Sequence, residues 1–209
     1  MEDALDVYAT PYDEDCPVIC LDEKPYQLLG ERREPIPTKE GRPARCDNEY
    51  ERMGTCAIFV MTEPLTGLHH AHARQRRAAI DFAHEVDWLL NHAESPYRGV
   101  PKIKLITDNL NIHDIASLYK AFLAPHAREL VKRIEWHYTP KHGSWLNVAE
   151  IVIGILERQC IGRRIADIET LNKELSAWEV DNNVNCKRIN WQFTTEDARV
   201  KLRRLYPAI

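Results

Sequence analysis

A chain of 209 residues, 44% hydrophobic and 29% charged, is long enough for one domain with a real core and has ordinary water-soluble composition. A formal net charge of -4 at pH 7 excludes a protein that coats nucleic acid by bulk electrostatics, while leaving room for local basic patches. Apolar runs stay short of membrane-spanning length, the first residues lack signal-peptide character, and six cysteines without CxxC or zinc-finger spacing read as reduced packing residues; the expectation is a cytoplasmic protein.

Residues 1–15 are polar and acidic with no sustained period and are expected to be a leader or linker, with the domain over 16–209. "CPVICLDE" predicts a buried strand ending at Asp22 and Glu23, and Gln27 to Glu31 a second strand. Over about 32–53, three prolines, a glycine and many charges predict an extended arm or long loop, a feature usually functional inside a compact domain. "GTCAIFVMTEPLTG" reads as a strand closed by a Pro/Gly turn, and "LHHAHARQ" as another strand. From about Gln75 to His92, Ala78, Ala79, Phe82, Ala83, Val86, Leu89 and Leu90 recur at helical spacing. "KIKLITDNL" predicts a strand ending on Asp108 and Asn109, Ile112 to Leu123 a helix, and "RIEWHYT" the next strand. A helix carrying Glu150 follows, then one from Asp167 to about Asn182, and "TTEDARVKLRRLYP" closes the chain as a short basic helix. Strands first, then alternating strands and helices, predict a mixed sheet covered by helices.

Leu146, Val148, Ala149, Ile151, Val152, Ile153, Ile155 and Leu156 make the Glu150 helix apolar nearly all round, so it is expected to be buried. A carboxylate there needs a cation, a hydrogen-bonding partner, or an escape to water or to Lys141 or an Arg. Sites in open α/β sheets lie at the carboxyl ends of strands, where Asp22 and Asp108 both stand. Each alone reads better as a cap or turn residue. With Glu150 they form three hard oxygen donors from separate elements, a set suited to Mg2+ or Mn2+ and not to zinc.

Four blocks, "CLDEKPYQLLGE", "LITDNLNIH", "HYTPKHGSWLNVAEI" and "RRIADIETLNKELSAW" with "INWQFTTEDARVKLRRLYP", run in this order over about Pro17 to Pro207. Together they resemble the catalytic half of bacterial insertion-sequence transposases of the mariner superfamily. The resemblance implies an α/β, ribonuclease-H-like fold: a mixed five-stranded sheet with flanking helices. It also implies an Asp-Asp-Glu site of Asp22, Asp108 and Glu150 holding two Mg2+ or Mn2+ ions for DNA cleavage at transposon ends and strand transfer into target DNA. Transposon-end and target DNA are then the partners, with a homodimer in the active complex and the 32–53 arm in place of a loop that reaches across that dimer.

Weaker candidates surround the triad. Asn109, Asn111 and His113 follow the second Asp and would orient metal-bound water or a phosphate, or else make loop and cap bonds. Lys141, His142 and Trp145 would touch the DNA backbone or stack on a splayed base, with Ser144 as the alternative helix cap. Arg163 and Arg164, like Arg74, Arg76 and Arg77 and the cluster Lys201, Arg203 and Arg204, suit phosphates or solvated faces equally. His69, His70 and His72 fit a strand edge better than a metal site. Relatives normally begin with a helix-turn-helix region, absent from this sequence, so the expectation is the downstream frame of a split element or a truncated copy, with a separately encoded N-terminal half as partner. A catalytically silent DNA- or partner-binding remnant and a stand-alone ribonuclease-H-like nuclease are the rival readings. Gly154 inside the Glu150 helix costs about 1 kcal/mol against Ala, through close packing or decay.

Overall fold

The computed structural model describes residues 1–141 and 143–206. Alternating and continuous apolar runs build five strands: β1 (Val18–Glu31), β2 (Tyr50–Glu63), β3 (Leu68–Arg74), β4 (Ile103–Thr107) and β5 (Ile134–Tyr138). They form one sheet in the order β3-β2-β1-β4-β5, with β1, β2 and β3 antiparallel neighbours and β4 and β5 parallel to β1. This mixed five-stranded sheet with flanking helices is the ribonuclease-H-like arrangement that the resemblance implied.

Strand β1 runs through the middle, buried from Val18 to Glu23 because helices cover both faces. Successive side chains point to opposite faces, so Ile19 and Leu21 meet Phe82 and Val86 of helix α2 (Ala79–Asn91). Val18 and Cys20 meet Val148 and Ala149 of a helix introduced below. The two strands expected at 16–23 and 27–31 are one. Strand β4 pairs with β1 only over Val18–Cys20, so Pro25 lies on an edge, where a missing N–H is tolerated.

Three further local expectations differ from the structure. Within the expected leader, Glu2–Tyr8 is a helix, α1, with Ala4, Leu5 and Val7 buried. Seven residues are too few for a helix to hold in water or to show a period, so docking makes it. Its Tyr8 hydroxyl donates to the Leu146 carbonyl at 2.8 Å, and its Glu2 carboxylate accepts two 2.8 Å hydrogen bonds from Arg199. The helix expected at Ile112 to Leu123 is shorter, α3 (Ile115–Ala121), and a further helix, α4 (Ala124–Lys132), follows with a proline in its first turn, where no intrahelical N–H is lost. The expected arm is in part strand, since β2 begins at Tyr50. Its outer portion is an exposed hairpin bridged at Ile36/Arg45 and Lys39/Arg42, with Gly41 at φ +71° by the tip.

After β5 come α5 (Val148–Leu156), a π-helical turn at Glu157–Ile161, α6 (Ile168–Asn185) and α7 (Thr195–Lys201). Helix α6 closes the β3 edge of the sheet. The Asn172 side-chain amide bonds both backbone groups of Ala73, and that of Asn183 both of His69, pairing groups that a bare edge strand would leave open. His69, His70 and His72 lie on that strand and bond Thr62, Glu179 and Glu85 respectively. No described helix is long and apolar enough to cross a membrane.

Candidate active site

Alternation along β1 sends Asp22 to the α5 face and Glu23 to the α2 face. Asp22 is 8% exposed; its carboxylate accepts a 2.8 Å hydrogen bond from the Glu23 N–H and a longer one, 3.4 Å, from the Asn147 amide. Asn147 caps α5 by accepting from the Ala149 N–H at 3.1 Å and donates to the Leu21 carbonyl at 2.9 Å. One buried amide therefore starts the helix and ties that start to the strand carrying Asp22. The cap is Asn147 and not Ser144, which opens a short 3-10 turn instead.

Glu150 sits in the first turn of α5, where the helix dipole favours negative charge. The expectation of a helix buried on all sides is corrected here. Val148, Ala149, Val152 and Leu156 are buried, but Glu150 and Ile151 are exposed, because the sheet covers one flank of α5 only. Among the described residues Glu150 has no salt bridge to a basic side chain, Lys141 included.

Asp108 follows the last residue of β4. Its Oδ1 accepts from the Leu110 N–H at 3.1 Å and lies 2.5 Å from Nδ1 of His113, whose Nε2 lies 2.6 Å from Oε1 of Glu23. The His113 side chain is fully buried between these two carboxylates. Burial opposes its charge, but the bonds to Asp108 and Glu23 outweigh burial and push the imidazole up to about 10, so it is an imidazolium at neutral pH. Burial also opposes the charge on Asp108, yet His113, the Leu110 N–H and nearby Arg77 hold its carboxyl below the usual range.

Asp22 behaves in the opposite way. Burial first, and then the neighbouring charges of Glu23, Asp108 and Glu150, push its carboxyl up to about 7, although the Glu23 N–H pulls down. Asp108 and Glu150 thus both lie within electrostatic reach of Asp22. The three do not close on a point: among the described residues no three acid, His or Cys side chains are near enough to share one metal ion. As a donor set, hard carboxylate oxygens whose mutual repulsion a divalent cation would relieve fit Mg2+ or Mn2+.

A cleft of about 280 Å³ opens beside Asp108, between the loops that follow β4 and β5, lined by Asn109, Thr139, Lys141 and Ser144 among others. Asn109 and Lys141 are therefore brought to Asp108, whereas Asn111 is exposed on the turn beyond it and does not line the cleft. His142 lies outside the described residues. Trp145 is 43% exposed and packs edge-on against Phe193 at 5.6 Å. Arg163 pairs with Glu174. Arg164 is spent on the base of the arm, with Glu31 at 2.6 Å and the Asp47 carbonyl at 2.7 Å. Sequence reasoning missed roles for Glu23 and Asn147. The available signals were an Asp-Glu pair on an alternating strand, which must aim one carboxylate at each face, and an Asn directly before an apolar run, a preferred cap.

Residues 17–172 match a family model described as DDE superfamily endonuclease. No curated protein matches the chain. Among solved structures it is similar to a crystal structure of the Mos1 mariner paired-end complex with Mn, at 15% identity over 86% of this chain and 54% of that one, with a TM-score of 0.45. A Mos1 transposase paired-end complex with left transposon end gives 14% identity, 78% and 48% coverage and a TM-score of 0.46. A pre-cleavage Mos1 transpososome gives 14%, 83% and 55%, with 0.43. The chain spans about half the length of these proteins. With the family match running from the start of the sheet into α6, the chain belongs to the DDE superfamily endonucleases.

Proposed function

We propose that this chain is a transposase catalytic domain that cleaves DNA phosphodiester bonds at transposon ends and transfers the freed strand to target DNA. Asp22, Asp108 and Glu150 are its metal-binding carboxylates. The observation that carries this reading is the placement of three carboxylates by β1, the end of β4 and the first turn of α5, with Asp108 and Glu150 both near enough to Asp22 to repel its charge. When bound, a pair of Mg2+ or Mn2+ ions would supply activation of the attacking hydroxyl or water and charge compensation at the leaving oxygen.

The chain's own residues do the positioning. Asn147 holds the start of α5 against Leu21, so Glu150 and Asp22 keep a fixed relation. Lys141, exposed at the cleft beside Asp108, offers a phosphate its charge, while Asn109 and Ser144 offer hydrogen bonds. Exposed Trp145 offers a ring to an unstacked base. The outer arm, exposed and packed on no core, is the segment we assign to a second copy of the chain in a dimer.

Plasmid nicking in Mn2+ and Mg2+, on a plasmid that carries transposon ends, tests the proposal. Metal-dependent nicking by the native protein that falls to background in Asp108→Asn supports it. Binding to DNA without nicking in either metal would replace it with the silent-remnant reading. Preference for RNA:DNA hybrids over transposon ends would replace it with a general nuclease.

A further inference from the structure

We infer that Glu23 and His113 form a buried brace that aims the Asp108 carboxylate into the candidate metal site, which makes both of them positioning residues for the cation; the inference rests on the metal reading above. Asp22 has its own backbone and the α5 cap to hold it. Asp108 has no cap and one local backbone donor, the Leu110 N–H: it stands one residue beyond β4 with its side chain 30% exposed. Its side-chain partner comes from the other side of the sheet.

Glu23 points away from Asp22 onto the α2 face, where its side chain is 1% exposed. A carboxylate so buried needs a partner, and His113 supplies it at 2.6 Å. The same ring reaches around the end of β4 to Asp108, 2.5 Å from Oδ1 and 3.2 Å from the backbone carbonyl. Phe82 of α2 packs on the imidazole with ring centroids 4.8 Å apart, so the ring cannot swing away without opening the core. The Leu110 N–H lands on Oδ1 as well, at 3.1 Å. Both donors converge on one oxygen, which leaves Oδ2 for an ion. Adjacent residues of one strand thus serve the two sides of the site: Asp22 as a donor in front, Glu23 as an anchor behind. Outer contacts that fix a ligating carboxylate typically govern metal affinity by about 10- to 100-fold.

The test is Mn2+ binding to the whole chain, read from the electron paramagnetic resonance signal of free Mn2+, with circular dichroism to certify the fold. Glu23→Gln and His113→Ala are expected to weaken Mn2+ binding by about tenfold or more. His113→Asn, whose amide can donate to Asp108 without reaching Glu23, should recover part of that loss. Glu85→Gln, which alters an equally buried carboxylate paired with Arg74 at the β3 side, should leave Mn2+ affinity unchanged. Where His113→Ala fails to fold, Glu23→Gln and His113→Asn carry the comparison. Native affinity in Glu23→Gln and in a folded His113 variant overturns the brace while leaving the metal site standing. A native chain that does not bind Mn2+, or Asp108→Asn binding as tightly as native, overturns the metal reading itself.

Discussion

At the scale of single residues, the unusual group is Asp22, a carboxyl that burial and neighbouring carboxylates hold up to about 7 against an ordinary value of 3.8. In the unfolded chain it ionises near 3.8, so between these values the folded state keeps a proton that the unfolded state has released. Stability from this group is therefore complete below pH 3.8, declines as pH rises, and is fully lost above pH 7. At about 1.4 kcal/mol per pH unit the loss is at most about 4 kcal/mol without metal. Asp22→Asn removes the charge and retains the size. In chelator at pH 8 the variant is expected to melt above the native chain, by the equivalent of about 1 to 4 kcal/mol, and the gain should shrink towards zero near pH 4. Equal melting of the two proteins at pH 8 would show that burial and neighbouring negative charge do not raise the Asp22 carboxyl. His113 reports the same economy from the other sign: a buried imidazole stays charged because a carboxylate stands at each ring nitrogen.

At the scale of elements, α5 does the joining. Its N-terminus is pinned three ways, by the Asn147 cap, by the Asn147 bond to Leu21, and by Tyr8 of α1, whose hydroxyl accepts from the Val148 N–H at 3.3 Å. Its interior carries Gly154, and the structure separates the two explanations for it. A Cβ added there would meet only the flexible end of Arg158, at 3.6 Å, an ordinary contact. Close packing does not require the glycine. Gly154→Ala should stabilise the protein by about 0.5 to 1 kcal/mol, measured by urea unfolding at constant m-value. A destabilised variant would mean that α5 is packed more tightly than its contacts show. Gly67 is the contrasting case. With φ at +79° and a Cβ position 2.6 Å from the Lys187 backbone, the turn between β2 and β3 has no room for a side chain.

At the scale of the whole molecule, a rigid sheet with helices on both faces carries a long exposed hairpin at the end of β1 and β2. The hairpin is held by few contacts, and Arg164 makes several of them, reaching Glu31 and the carbonyls of Asp47 and Glu49. Arg164→Ala is expected to leave the melting transition nearly unchanged, because the arm buries no core, while trypsin cleavage within residues 32–45 accelerates several-fold. Unaltered cleavage kinetics would mean that the arm is ordered by something other than its base. A groove of about 780 Å³ runs along the base of this region, lined by Lys24, Tyr26, Arg163 and Arg164 among others. Salt bridges to Glu157, Glu174 and Glu31 already occupy Lys24, Arg163 and Arg164, so that groove is less basic than its composition suggests.

By itself the sequence determined the sheet, most of the helices and the three candidate carboxylates. Apolar runs and helical periods set by local geometry place Asp22 at the end of a buried stretch, Asp108 just past a strand, and Glu150 on an apolar helix. Only the tertiary structure decided that α1 is a helix, that Glu150 faces outward, and that Glu23 and His113 stand behind Asp108. Those outcomes depend on contacts between residues 90 apart for Glu23 with His113 and 126 apart for Leu21 with Asn147. Periodicity tells each segment which side to bury; which partner it meets there depends on how the elements pack, and packing is a property of the folded chain as a whole.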